Sequence, residues 1–443
     1  MSFGNGQITN IFGYREFENN VLSDLDSTFL NLFDAEVETE QEQISNELRF
    51  NGQFGKWNVT TGLFYFQQEL IYSETRFLLE EFFAGFGLPP IIIPGGGTQE
   101  QETFGLFSQV EYAVNGRLTL SAGLRYSDEE KEVNIASIIQ GVQTDTNCRV
   151  TNGDCSFDFS SATNPDDTTF STDNLSPEFG VQYIVNDSSN IYAKWNRSFR
   201  AGGFNLRNTS PIPEDVLSFD DEEVESTEIG WKYQSPNNST LNIALFYTQI
   251  DDLQREVNTA DPDQGITQVI RNTANADIHG FELDGKWVIS DKLVLTGSLG
   301  YIDGEYTDIF FDLTNDGVID QDDFDLDIPR LTDFSYSLGV IYSTRLGNLG
   351  EGNFQLNYGH KSETAFTDNN LGFVEATSRV DGNFTLVRDN GTSISIYGKN
   401  LTNEVIFSGD APLPEMLGRV PLGGTLSPLT KGRVIGLEVQ HDF

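Results

Sequence analysis

RLTLSAGLRY, residues 117–126, sets Leu118, Leu120, Ala122, Leu124 and Tyr126 on one face of an extended chain. Thr119, Ser121, Gly123 and Arg125 take the other face. A charged Arg125 in so apolar a strand needs water on its own side, which the lumen of a barrel supplies. STLNIALFY repeats the period, with Leu241, Ile243, Leu245 and Tyr247 opposed to Asn242 and Ala244, although Phe246 breaks the polarity. KLVLTGSLGY repeats it again through Leu293, Leu295, Leu299 and Tyr301. At the C-terminus, RVIGLEVQHDF puts Ile435, Leu437, Val439, His441 and Phe443 on one face, with only His441 off-pattern.

The connections between such segments alternate in length. Short turns rich in Asn, Asp, Gly or Ser read near residues 52–56, 114–117, 186–190, 234–239, 290–291, 346–350 and 389–391. Between them lie longer acidic, Gly-rich or Pro-rich connections near 20–40, 73–99, 134–172, 201–220, 258–265, 310–327, 364–371 and 408–429. Counting hairpins gives about 16 strands, many with the roughly 9–11 residues that a tilted strand needs to cross a bilayer. A soluble sandwich has no reason to keep every second loop short, whereas an outer-membrane barrel has short periplasmic turns and long extracellular loops. Aromatic clusters such as Phe64, Tyr65 and Phe66, or Tyr192, Trp195 and Phe199, fall where strands would leave the bilayer and fit an interfacial girdle. For any single ring, interior packing is the alternative.

The 443 residues carry 26 Lys and Arg against 68 Asp and Glu, a net charge of -42, which argues against nucleic acid as a partner. With 34 Phe and 15 Tyr the chain is too aromatic for a disordered acidic segment. A mean hydropathy of -0.33 resembles that of a soluble protein. Barrel strands average to the same value, because half of their residues face water. The opening MSFGNGQITN has no basic region followed by an apolar run, so it does not read as a secretory signal peptide, and an exported protein starting there would be a fragment.

Cys148 and Cys155, in the polar segment TNCRVTNGDCSF, read as a local disulfide of an oxidising compartment or as two free thiols. DLTNDGVIDQDD follows the spacing of a calcium loop, with Asp312, Thr314 and Asp316 at the first, third and fifth places. Gly317 takes the turn, Val318 offers its carbonyl, and Asp320 and Asp323 fill the ninth and twelfth places. Thr at the third place and Asp at the twelfth depart from the pattern, and a merely solvated acidic loop is the other reading. The acid run at 214–225 reads as solvated loop. His279, His360 and His441 fall on separate strands without metal-ligand spacing, and no phosphate-binding loop, zinc-binding His pair or serine nucleophile elbow can be read, so enzyme chemistry finds no support.

In order along nearly the whole chain, ITNIFGYREF, ISNELRF, LFSQVEYAVNGRLTLSAGLRYSDEEKE, LSPEFGVQYIVNDSSNIYAKWNRSFRAGGFN, EEVESTEIGWKYQ, NADIHGFELDGKW and GKNLTNE resemble the barrel of TonB-dependent outer-membrane receptors. SFRAGGFN and GKNLTNE, similar to the family's strand-end motifs, carry the resemblance furthest. It implies an all-β antiparallel transmembrane barrel spanning residues 1–443, with about 16 of the family's usual 22 strands, in the bacterial outer membrane. The plug domain that such receptors carry ahead of the barrel is not read in this sequence. The implied activity is TonB-driven uptake of a scarce, large nutrient, usually a ferric siderophore, with TonB acting through the plug. The implied partners are also outer-membrane lipid and the barrel assembly machinery, through the C-terminal strand ending at Phe443. The resemblance requires no cofactor, and calcium in an extracellular loop would be structural. Ligand-binding residues cannot be assigned; the loop aromatics Phe204 and Phe86 are the nearest candidates. A passive porin and a secreted calcium-binding adhesin remain alternatives.

Overall fold

The computed structural model describes residues 2–24, 33–78, 85, 87, 91–136, 168–206, 218–261, 265–412, 416–417, 420–421 and 425–442. Among these, sixteen strands of eight or more residues form one antiparallel sheet. They are β1 (Gly6–Asp24), β2 (Phe33–Phe54), β3 (Trp57–Leu78), β4 (Ile91–Ala113), β5 (Leu118–Ala136), β6 (Thr169–Asn186), β7 (Ser189–Arg200) and β8 (Glu222–Gln234). The second half comprises β9 (Thr240–Asp261), β10 (Gly265–Ser290), β11 (Leu293–Ile309), β12 (Phe334–Arg345), β13 (Glu351–Lys361), β14 (Thr377–Val387), β15 (Thr392–Lys399) and β16 (Val434–His441). Each strand pairs with its successor, so the sheet runs from β1 to β16 in chain order. One four-residue helix, α1 (Gln321–Phe324), sits in the connection after β11.

All seven short turns read from the sequence join consecutive strands at one end of this sheet. Their chemistry is local. Gly55 and Gly391 take φ of 64° and 79°, and the Asn115 side chain accepts from the Arg117 and Leu118 amides at 2.8 and 3.0 Å. The long connections gather at the opposite end. Three of them are shorter than their composition implies: β1 and β2 stay paired out to Asp24 and Asp34, β3 and β4 out to Leu78 and Ile91, and β9 and β10 out to Asp261 and Gly265. Loop-like composition there marks strands that outrun the bilayer rather than loops. The 22 residues of β2 span about 70 Å, or about 50 Å of height at a tilt near 45°, twice an apolar band of about 25 Å.

Register sorts side chains onto two faces. Leu118, Leu120, Ala122, Leu124 and Tyr126 lie opposite Tyr183, Val181, Phe179, Pro177 and Leu175. The row continues around the sheet to Ile435, Leu437 and Val439 on β16. These residues are open: Leu124 is 50%, Phe179 57%, Leu338 61% and Leu437 68% exposed. So continuous an exposed apolar face is incompatible with water and suits hydrocarbon. Rings border it at both ends. Phe281–Tyr301, Tyr336–Tyr358 and Phe179–Trp195 lie toward the loop side, and Trp57–Tyr112 and Trp231–Tyr233 lie beside the turns.

The expected aromatic clusters split between the faces, because neighbours in a strand point opposite ways. Tyr65 and Trp195 join the apolar face, whereas Phe64, Phe66 and Tyr192 take the polar one. Phe246, the residue that breaks the period of β9, covers Gly280, where a Cβ would meet its ring at 2.8 Å. His441, the other exception, closes the row on β16 with Nδ1 3.0 Å from Thr392 Oγ1.

Candidate functional site

The polar face and the loop end build the site. Arg125 lies between two rings on this face, its guanidinium 5.5 Å from the Phe64 centroid and 5.9 Å from that of Phe107, and its Nε donates to Ser127 Oγ at 3.0 Å. The wet side expected for Arg125 is therefore an aromatic clamp on the polar wall. Farther along that wall, Gln355, Asn357, Asp381, Asn383, Tyr397 and Glu438 help line a hollow of about 360 Å³.

At the loop end, two apolar clusters fasten connections onto the polar face. In the first, Phe204 and Leu206, each 8% exposed, pack on Val133, Leu70, Tyr72 and Phe170. SFRAGGFN makes this approach: a Cβ on Gly202 would fall 2.2 Å from the Phe219 carbonyl oxygen, and Gly203 exchanges backbone hydrogen bonds with Phe219 at 3.0 and 2.8 Å. Lys131 Nζ donates to the Gly202 carbonyl at 2.6 Å while 2.9 Å from Glu129. Phe204, singled out in the sequence as a ligand contact, is thus part of a core. Phe86, Cys148, Cys155 and Phe443 lie outside the residues whose side chains are described.

The acid run at 214–225 departs from the solvated reading where it is described. Asp221 accepts from the Gly202 amide at 2.7 Å and from the Thr172 hydroxyl. Glu222, 8% exposed, accepts from Arg200 Nη2 and the Gln254 amide, both at 2.8 Å. These carboxylates tie the exit of β7 to β8 and β9.

In the second cluster, Leu313 and Ile328 from the 310–333 connection pack on Leu253, Ala274, Ala276, Tyr306 and Ile309. The calcium-loop residues lie in this connection. Asp312 Oδ2 accepts from the Gly317 amide at 2.7 Å, and its Oδ1 accepts from Thr314 Oγ1 at 3.1 Å and the Asn315 amide at 2.7 Å. Asp323, fully buried, accepts from the Leu313, Thr314 and Asp320 amides at 2.8, 2.9 and 2.9 Å. Asp320 caps α1, Asp316 accepts from the Val318 amide at 3.0 Å, and Val318 is exposed. Desolvation pushes the Asp312 carboxyl up, but the donors from Gly317, Thr314, Asn315 and Asp316 outweigh it and hold it below the ordinary carboxylate range. Among the described residues no group of three or more His, Cys, Asp or Glu converges as a metal site. The three histidines stay apart: His279 is 3.7 Å from Asp303, and His360 Nδ1 is 2.9 Å from Ser378 Oγ.

Sequence reasoning missed Arg255 and Tyr306 beneath the same connection. Arg255 Nε lies 3.2 Å from Asp368 Oδ1, out of line for a hydrogen bond, and Tyr306 Oη is buried near the Arg255 guanidinium without a well-aligned hydrogen bond. Burial pushes the Asp368 carboxyl up, against the pull of Arg255. Nothing in the local pattern of either segment signals these contacts.

The model of the TonB-dependent receptor-like β-barrel family matches residues 2–401. Among solved structures, the ferric yersiniabactin uptake receptor FyuA from Yersinia pestis superposes with a TM-score of 0.74 at 16% identity, over 99% of this chain and 58% of that one. The siderophore receptor PiuA from Acinetobacter baumannii gives 0.72 at 15%, over 99% and 62%. The copper transporter OprC gives 0.67 at 13%, again over 99% and 62%. The chain thus spans about three fifths of the length of these proteins. The family is one of transport receptors, not of enzymes. By fold and by the family match, the chain belongs to the TonB-dependent receptors of the outer membrane and carries their β-barrel strands.

Proposed function

We propose that this chain supplies the loop-bearing wall of an uptake receptor for an iron–siderophore complex, energised through TonB. The observation that carries the reading is the mouth: connections on the long-loop side fold onto the polar face and cover it at two apolar clusters, which narrows a passage instead of leaving a permanently open pore. The similar ferric yersiniabactin and siderophore receptors support this choice of ligand class. The test is uptake of radiolabelled iron–siderophore by cells expressing the receptor that contains this sequence. Uptake that stops when TonB is deleted supports the proposal, and uptake unaffected by TonB would establish a passive porin. Recovery of the protein from the medium instead of the membrane would favour a secreted adhesin.

We propose in addition that the 312–323 loop takes calcium, on the support of its spacing and of the turn at Gly317, whose φ is 98°. Occupancy would require Asp312, Asp316, Asp320 and Asp323 to turn their free lone pairs onto one ion. Calcium in the roughly 10⁻⁴–10⁻³ M range of extracellular modules should slow amide exchange in this loop. Unchanged exchange in calcium and in chelator rejects the assignment.

A further inference from the structure

The connections 310–333 and 362–376 leave the sheet from different hairpins, yet they are fastened to each other at several points. The Asp327 amide donates to Asn370 Oδ1 at 2.7 Å, and Asn370 Nδ2 donates to the Asp327 carbonyl at 2.9 Å. The Arg330 amide donates to the Ala365 carbonyl at 2.8 Å, and the Arg330 guanidinium stands 5.2 Å over the Phe366 ring. Thr332 and Thr364 share a hydroxyl contact at 2.9 Å. Arg330 holds φ at 65°, a conformation that a side chain disfavours, so surrounding contacts impose it.

Beneath this junction lies Arg255 of β9. Its Nη2 reaches the Pro329 carbonyl of one connection at 3.4 Å, while its Nε lies 3.2 Å from Asp368 of the other. Cross-strand from it, Arg271 stands 5.5 Å over Phe311. The first connection also seats on the wall through a missing side chain: a Cβ on Gly304 would fall 2.6 Å from Leu331 and 3.0 Å from Ile328.

We propose that the two connections form one lid over the polar face of β9–β11, and that Arg255 is the latch that makes them open together. The closed lid leaves Tyr306 Oη and Arg255 Nε buried without well-aligned hydrogen bonds. Opening returns both donors to water or to a ligand's oxygens, so the closed state is offset by a cost that its opening removes. This gating stands whichever nutrient is carried.

The test is amide hydrogen exchange on the full receptor chain in lipid nanodiscs. Arg255→Ala removes both contacts of the latch, and Asn370→Ala cuts the clasp at Asp327. Each should raise exchange in both connections together by about tenfold, as for local opening, and leave β11 and β13 unchanged. Arg255→Lys, which keeps the charge but loses the fork, should give a smaller rise. Gln321→Ala removes only a contact within the first connection, to Asp325 Oδ1 at 2.9 Å, and should act on that connection alone. A response of Arg255→Ala or Asn370→Ala confined to one connection overturns the proposal, as does a response of both connections to Gln321→Ala.

Discussion

Replacing Leu338 and its neighbour Ser337 by arginine, one at a time, asks which side of the sheet meets hydrocarbon. Leu338 is 61% exposed on the apolar face, between Tyr336 and Tyr342, and its paired residues are Gly297 and Tyr358. Ser337 points to the opposite face, where its hydroxyl is 2.7 Å from Ser298 Oγ. An arginine near the bilayer midplane costs about 2–4 kcal/mol on a lipid-facing position and little on a lumen-facing one. At 1.4 kcal/mol per factor of ten, Leu338→Arg should lower the folded-to-unfolded ratio roughly 30- to 700-fold. Ser337→Arg should change it only by the few tenths of a kcal/mol usual for a solvated substitution. The assay is urea-titrated folding into lipid vesicles, followed by tryptophan fluorescence and gel mobility. Equal costs at the two positions, or a larger cost at Ser337, would refute the assignment of faces.

Other consequences follow from single contacts. A Cβ on Gly230 would fall 2.3 Å from the Tyr192 ring, so Gly230→Val should displace that ring, break its 2.6 Å bond to Glu228 and cost about 1–3 kcal/mol in the same folding assay. Asp323→Ala removes the buried acceptor of three amides, so exchange across 312–325 should rise sharply, with about 1 kcal/mol lost per orphaned donor. The Asp312 carboxyl is depressed in the folded loop, so its contribution is present above the ordinary carboxylate range and lost as pH falls through the lowered value. Protection of the 315–317 amides, taken relative to their intrinsic exchange rates at each pH, should therefore fall in acid, with Asp312→Asn removing most of that pH dependence.

Features that repeat at short range were legible in the sequence. Turn residues such as Asn115, Gly55 and Gly391 act locally, and the two-residue period in 117–126 fixes which side chains share a face, so hairpins, strand number and the apolar row could be read. Features set by distant partners could not. Asp221 and Glu222 look like solvated acids until Gly202, Arg200 and Gln254 are brought to them. Phe204 looks like an exposed loop aromatic until Val133 and Tyr72 cover it. The paired ends of β9 and β10 have loop-like composition because beyond the bilayer no apolar face is required. Arg255 and Asp368 meet only because three hairpins converge at the mouth.

The account rests on alternate contact of neighbouring residues with lipid and water, and spin labels placed singly at each position from 118 to 126 in reconstituted membranes measure this directly. Labels at Leu118, Leu120, Ala122, Leu124 and Tyr126 should collide with dissolved oxygen, and labels at Thr119, Ser121, Gly123 and Arg125 with a water-soluble nickel complex. Uniform accessibility along the segment, or oxygen contact at the odd-numbered positions instead, would contradict a membrane-spanning sheet.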